Sequence, residues 1–252
     1  MIDILGIGAV AVDDLIYVDH YPPADSKIRV QARYRQGGGL TGTALVTAAR
    51  LGVNPAYFGI LGDNELSRYT LEELAREGVD CSMVEIQQGA EPFHSTIIVV
   101  QPTAQRTVLS WAKGVVPVGP NNITDELIAQ CRVLFVDHTV VAAALRAVEI
   151  ARRHHIPVVA DIEAEHHPAV HNLISQIDHL ILGVNFARHI TGKEKPEAMV
   201  RALATTGRTC TVVTAGNQGC WYAEGKEQVE HFPAFRVQAV DTTGCGDVFH
   251  GA

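Results

Sequence analysis

The stretch "AVDTTGCGDVFHGA" (239–252) sets two glycines around one residue and follows them with an acid. Such a Gly-x-Gly turn lets successive backbone N–H groups point into one concavity, which suits an anion. Asp247, beside that cradle, could take a proton from a hydroxyl and direct the oxygen at a phosphorus. The same residues also describe a tight turn with an N-terminal capping acid, so context has to decide. The apolar "FRVQAV" (235–240) before the turn predicts a strand, and the residues after it a helix starting near Gly246.

Bulk properties narrow the chemistry. The chain has 252 residues, 47% hydrophobic and 19% charged, a globular composition. Its formal charge of -8 argues against general nucleic-acid or anionic-membrane binding, which needs a basic face. The five cysteines (81, 131, 210, 220, 245) form no C-x-x-C pair and read as reduced thiols in a cytoplasmic protein. The first residues lack a basic leader, and Asp3, Asp13 and Asp14 interrupt them, which predicts a buried strand and no membrane span.

The elements that must position the motif alternate. Short runs rich in Val and Ile ("DILGIGAV", "PAYFGILG", "RVLFVDH", "PVVADIE", "HLILGVN", "CTVVTAG") read as strands. Between them, "TALVTAARLG", "ELSRYTLEELAREG", "AAALRAVEIARRHH" and "KPEAMVRALATTG" carry helical periodicity. This predicts an α/β fold: a mostly parallel sheet with helices on both faces, its ligands outside the carboxyl ends of the strands. Residues 14–36 and 93–111 break the rhythm and read as inserted antiparallel strands, a small β-sheet lid over the site.

With those elements in place, "DTTGCGDVFHGA" resembles the second signature of the PfkB, or ribokinase-like, carbohydrate kinases. Asp13 resembles that family's acid for substrate hydroxyls, and "GGGLTGTALVTAARLG" (37–52) its Gly-Gly first signature. "FGILGDN" (58–64) and "VVTAGNQG" (212–219) match two further segments in the family's order. The resemblance covers essentially the whole chain. It implies a three-layer α/β/α domain over residues 1–252 with a β lid. It also implies a missing C-terminal part, since family members continue past the helix that begins at the motif.

The resemblance further implies roles. Asp247 would be the general base, and Gly244, Cys245 and Gly246 would supply the anion hole for the transferring phosphoryl group. Asp13, Gly38, Gly39 and Thr43 would hold the sugar. Thr214, Gly216 and Gly219 would line ATP. Asp241 and Thr243 match positions near a monovalent-cation site, so K+ joins ATP and Mg2+ among the implied cofactors. A homodimer through the lid is implied as well.

Departures from the family pattern are specific. Its N-x-x-E glutamate, which helps organise magnesium and phosphate, falls on Phe186, leaving Asn185 and Asp161 as nearby polar groups. An Asn that often contacts sugar falls on Gly42. The motifs look most similar to the branch containing sulfofructose kinase, and Lys27 sits where that branch has a lysine for an anionic group. Ser110 and Thr139 replace its other anion contacts, so a sulfosugar is not assigned. Lys27, Arg33 and Arg35 also fit a solvated edge of the lid. His166, His167 and His171 lack a further ligand at metal spacing, and "LGIGAV" lacks the third glycine of a dinucleotide loop. Two rival readings stay open: a nucleoside acceptor stacked on Tyr34, Phe93 or Trp111, and a sugar-binding module without catalysis.

Overall fold

The computed structural model describes residues 2–226, 228–239 and 241–252. The chain runs through β1 (Ile2–Ile7), β2 (Ala11–Val18) and β3 (Ala32–Gly38), then α1 (Leu40–Arg50), β4 (Pro55–Phe58) and β5 (Ile60–Leu61). After α2 (Glu65–Arg76) come β6 (Glu85–Ile86), β7 (Phe93–Val100), β8 (Gln105–Trp111), α3 (Asp125–Ala129) and β9 (Cys131–Asp137). Next are α4 (Val141–Arg153), β10 (Val158–Asp161), α5 (Val170–Gln176), β11 (His179–Gly183), α6 (Val184–Thr191) and α7 (Pro196–Leu203). The chain finishes with β12 (Cys210–Thr214), β13 (Cys220–Glu224), β14 (Glu230–Phe232) and α8 (Cys245–Gly251).

The large sheet has eight strands in the order β14-β13-β12-β11-β10-β9-β1-β4. From β12 to β4 every pairing is parallel, and β13 and β14 add an antiparallel edge. Side-chain alternation explains the layers. Leu5 and Ile7 of β1 join Leu134 and Val136 of β9 in a core shared with Ala144, Ala147 and Val148 of α4. Gly6, between them, faces α1: a Cβ there would stand 2.7 Å from Leu45 Cδ1. The α8 helix packs beside α1 on that second face. Strand and helix periods thus place helices on both faces, as the alternation in sequence predicts.

The second sheet has four strands in the order β3-β2-β7-β8. Its hairpins β2–β3 and β7–β8 are antiparallel, as expected, but β2 and β7 pair in parallel. Strand β2 starts at Ala11, and residues 19–31 of the expected lid segment form no strand. Leu15, Ile97 and Val99 give the lid its own small core. Two other expectations need correction. "PAYFGILG" splits into β4 and β5, and residues 235–239 form no strand; Phe235 and Val237 are exposed, with Val240 outside the described residues.

Candidate active site

The site gathers where β1, β9 and β10 end. Asp137, the last residue of β9, is fully buried and accepts four hydrogen bonds. They come from the Ala9 N–H (2.7 Å), the Thr41 hydroxyl (2.8 Å), the Thr139 N–H (2.9 Å) and the Thr139 hydroxyl (2.5 Å). One carboxylate therefore ties the end of β1, the start of α1 and the loop after β9 together, with its acceptor capacity filled. Sequence reasoning missed it, because a strand-ending acid carries no signal of how many donors converge on it.

Asp13 and Asp14 are neighbours on β2 with opposite fates. Asp14 points outward and takes two N–H bonds from Arg35 (2.9 and 3.0 Å), while His94 Nε2 lies 2.8 Å away. The Arg35 bonds chiefly hold its carboxyl down to about 2. Arg35 is thus an ion-pair partner on the lid. Asp13 points inward and is 8% exposed. Burial pushes its carboxyl above the usual range, with a Ser95 hydrogen bond acting the other way. Gly38 is backed against it: a Cβ there would stand 2.0 Å from Asp13 Oδ2.

The signature turn lies under the lid. Gly244 has φ +74°, a left-handed conformation that favours glycine, and caps α8, which starts at Cys245. The Cys245 N–H donates a long 3.4 Å bond to the Thr242 carbonyl. No heavy atom lies within 4 Å of a Cβ position on Gly246, so space is open there. Asp241 accepts from the Thr243 N–H (2.8 Å) and from the Tyr17 phenol of the lid (3.0 Å). Burial works against its charge, but these bonds and Arg106 hold its carboxyl below the usual range. Arg106 on β8 also donates to the Thr242 hydroxyl at 2.9 Å. The Thr243 hydroxyl oxygen is buried without a hydrogen-bond partner among the described residues.

Asp247 sits in the first turn of α8, half-buried. Desolvation first, then the charges of Asp161 and Glu163, push its carboxyl up to about 7, while His250 pulls it down. Asp161 at the end of β10 is pushed up to about 8 by burial and by Glu163 and Asp137. Two cavities meet at Asp13, Gly39, Thr243, Gly244 and Asp247. One, of about 330 Å³, adds Gly38 and Thr43; the other, of about 400 Å³, adds Ser95, Arg106, Glu163 and Gly246.

Most of the sequence-predicted residues therefore converge. Lys27 does not: it is exposed in the segment between β2 and β3 and lines neither cavity. Thr214, Gly216 and Gly219 stand at the end of β12, outside both cavities. Gly219 has φ +90°, and a Cβ on it would meet the Phe232 carbonyl at 2.0 Å. The histidines are dispersed: His166 lies beside His138, the His167 Nδ1 accepts from the Ala169 N–H, and His171 pairs with Glu165. All five cysteines are free, and no helix among the described residues is long and apolar enough to cross a membrane.

The pattern of the pfkB family carbohydrate kinases matches residues 1–252. The chain belongs to the pfkB family of carbohydrate kinases. It is 24% identical over 255 residues to a ribokinase of Staphylococcus aureus, covering 98% of this chain and 83% of the relative. A deoxyribokinase of Salmonella typhi is 25% identical over 265 residues, covering 99% and 83%. The structure of Arabidopsis thaliana ribokinase complexed with ribose and ATP superposes with a TM-score of 0.81 at 19% identity, covering 100% and 85%. The fold is ribokinase-like, and the chain is a phosphotransferase of this family.

Proposed function

We propose that this kinase transfers the γ-phosphoryl group of ATP to a hydroxyl of a small sugar, with Asp247 as general base. The observation that carries the reading is the convergence of Asp13, Asp247 and the Gly244–Gly246 turn on two adjoining cavities under one lid. Asp13 would accept from sugar hydroxyls, with Gly38, Gly39 and Thr43 shaping the floor. Asp247 would take the proton of the attacking hydroxyl, a role worth about 10²–10⁴-fold in rate. The N–H groups of Gly244, Cys245 and Gly246 would meet the charge that grows on the phosphoryl oxygens; one such donor is worth about 3–4 kcal/mol. Closure of the lid excludes water and so protects ATP from hydrolysis.

The nucleotide would lie across the ends of β10 to β12 toward Thr214, Gly216 and Gly219. Magnesium, when bound, would neutralise charge along the phosphates. K+ would sit near Asp241 and Thr243, where the unpartnered Thr243 oxygen offers one ligand. A cytoplasmic homodimer joined through the lids belongs to the same reading; Leu109 and Trp111 are more than half exposed on the edge strand β8, and sedimentation of the protein tests it.

The deciding experiment is coupled ADP release over ketoses, aldoses, sulfosugars and nucleosides, with Asp247→Asn alongside. Turnover of one sugar that collapses in the variant supports the reading. A nucleoside as the single acceptor replaces the sugar. Sugar binding without any turnover makes the chain a binding module, the alternative that Phe186 favours.

A further inference from the structure

Asp137 does more than tie three segments together: it decides what Thr139 can offer a ligand. The N–H and the hydroxyl of Thr139 both donate to Asp137 Oδ1, at 2.9 and 2.5 Å. A threonine has one backbone N–H and one hydroxyl proton, so both of its donors are spent. Its hydroxyl oxygen keeps lone pairs and can only accept. That side chain lines the cavity of about 400 Å³ together with Asp13 and Asp247. The other carboxylate oxygen is filled as well. Oδ2 takes the Ala9 N–H and the Thr41 hydroxyl, and a Cβ on Gly8 would stand 2.2 Å from it, so the fully buried group has no room to turn away. None of the four donors is cationic, so no ion pair among them neutralises the charge. Asp13 and Glu163 bring further carboxyl groups to the same cavity, and the arginine that lines it, Arg106 of the lid, is already bonded to Thr242.

We propose that Asp137 is a specificity-determining positioning residue: it fixes Thr139 as an acceptor for an uncharged sugar hydroxyl and turns away sugars that carry a carboxylate, sulfonate or phosphate at that end. A sugar hydroxyl brings its own proton and meets the Thr139 oxygen directly. An anionic oxygen at hydrogen-bond distance from Thr139 finds no proton there, and it stands about 5 Å from the Asp137 charge. In a partly buried cavity that repulsion is worth roughly a hundredfold in affinity. Asp137 touches no ligand itself; it acts through Thr139, by holding both of its donors and by placing a negative charge behind its oxygen. This role rests on the reading of the cavity as the sugar site.

The test is calorimetric titration of the full chain, which needs no turnover. The probes are three neutral sugars, each with a partner charged at one end: D-fructose with 6-deoxy-6-sulfofructose, D-glucose with D-glucuronate, and D-ribose with D-ribonate. Wild type should bind at least one neutral sugar and hold its charged partner about a hundredfold more weakly. Asp137→Asn removes the charge at nearly constant shape, and the ratio within that pair should shrink by about tenfold or more. A merely structural loss would weaken both members alike and leave the ratio standing. Thr139→Val keeps the N–H bond to Asp137 but removes the acceptor, and the neutral sugar should lose about tenfold in affinity. Should Asp137→Asn fail to fold, the wild-type ratio and Thr139→Val decide. A charged sugar bound as tightly as its partner, an unchanged ratio in Asp137→Asn, full affinity in Thr139→Val, or wild type that binds no neutral sugar overturns the proposal. Coupled ADP release on the same sugars keeps the two readings apart. Selective binding controlled by Asp137 with no ADP released leaves this role standing and fells the kinase reading. ADP released equally with neutral and charged acceptors keeps the kinase reading and removes the role of Asp137.

Discussion

The Tyr17 phenol donates to Asp241 Oδ2 at 3.0 Å, joining the lid to the signature turn across 224 residues of chain. Arg106 makes a second tie, to Thr242 at 2.9 Å. Because Asp241 also orders the turn through the Thr243 N–H, lid position and turn geometry are coupled through one carboxylate.

Removing the phenol should loosen the lid, while the Thr243 N–H bond to the other Asp241 oxygen still orders the turn. A hydrogen bond of this kind is worth about 1 kcal/mol. Tyr17→Phe is expected to raise KM for the sugar about fivefold and to raise futile ATP hydrolysis, with little change in kcat at saturation. Steady-state kinetics with and without acceptor read both. An unchanged KM would mean that the contact does not hold the lid in solution.

A pH dependence follows from Asp161. Its folded carboxyl is pushed up to about 8, chiefly by burial, whereas an unfolded Asp titrates near 4. Between those values the folded state holds a proton that the unfolded state has lost. The contribution to stability is thus full below about pH 4 and falls away as pH rises through 8. Asp161→Asn cannot ionise and escapes that loss. In chelator-treated buffer, its Tm advantage over wild type should be larger at pH 8.5 than at pH 5.5. Equal differences at the two pH values would contradict the assigned burial effect.

The strand-end motifs were legible because their spacing is local: a turn needs Gly244, and an inward acid on β2 needs alternation. What was not legible depends on contacts between distant segments. Asp137 becomes a hub only when Ala9, Thr41 and Thr139 arrive around it. Glu163 joins Asp161 and Asp247 only after β10 and α8 are set side by side. The parallel pairing of β2 with β7 is decided by where the main sheet sends each lid segment, and alternation carries no strand direction. The "FRVQAV" run shows the converse: its pattern is strand-like, yet residues 235–239 pair with no sheet edge, and Phe235 stays 81% exposed. Pattern proposes a strand, and a partner makes one.

Gly38 and Asp13 meet at the floor of the cavity proposed for the sugar. Gly38 ends β3 opposite Ala11, and its missing side chain is the space that Asp13 occupies. A methyl group there would stand 2.0 Å from Asp13 Oδ2, well inside contact distance. The backbone is strand-bound on this side, so the carboxylate must swing away, at an overpacking cost of about 1–3 kcal/mol. Gly38→Ala should keep ATP binding, because the residues proposed for the nucleotide stand on β12. Affinity for the sugar should fall by about tenfold or more, since a displaced Asp13 cannot accept from the same hydroxyls. Calorimetric titration with each ligand separates the two effects. Equal losses for sugar and nucleotide would point to general unfolding, and unchanged sugar affinity would remove Asp13 from the substrate site.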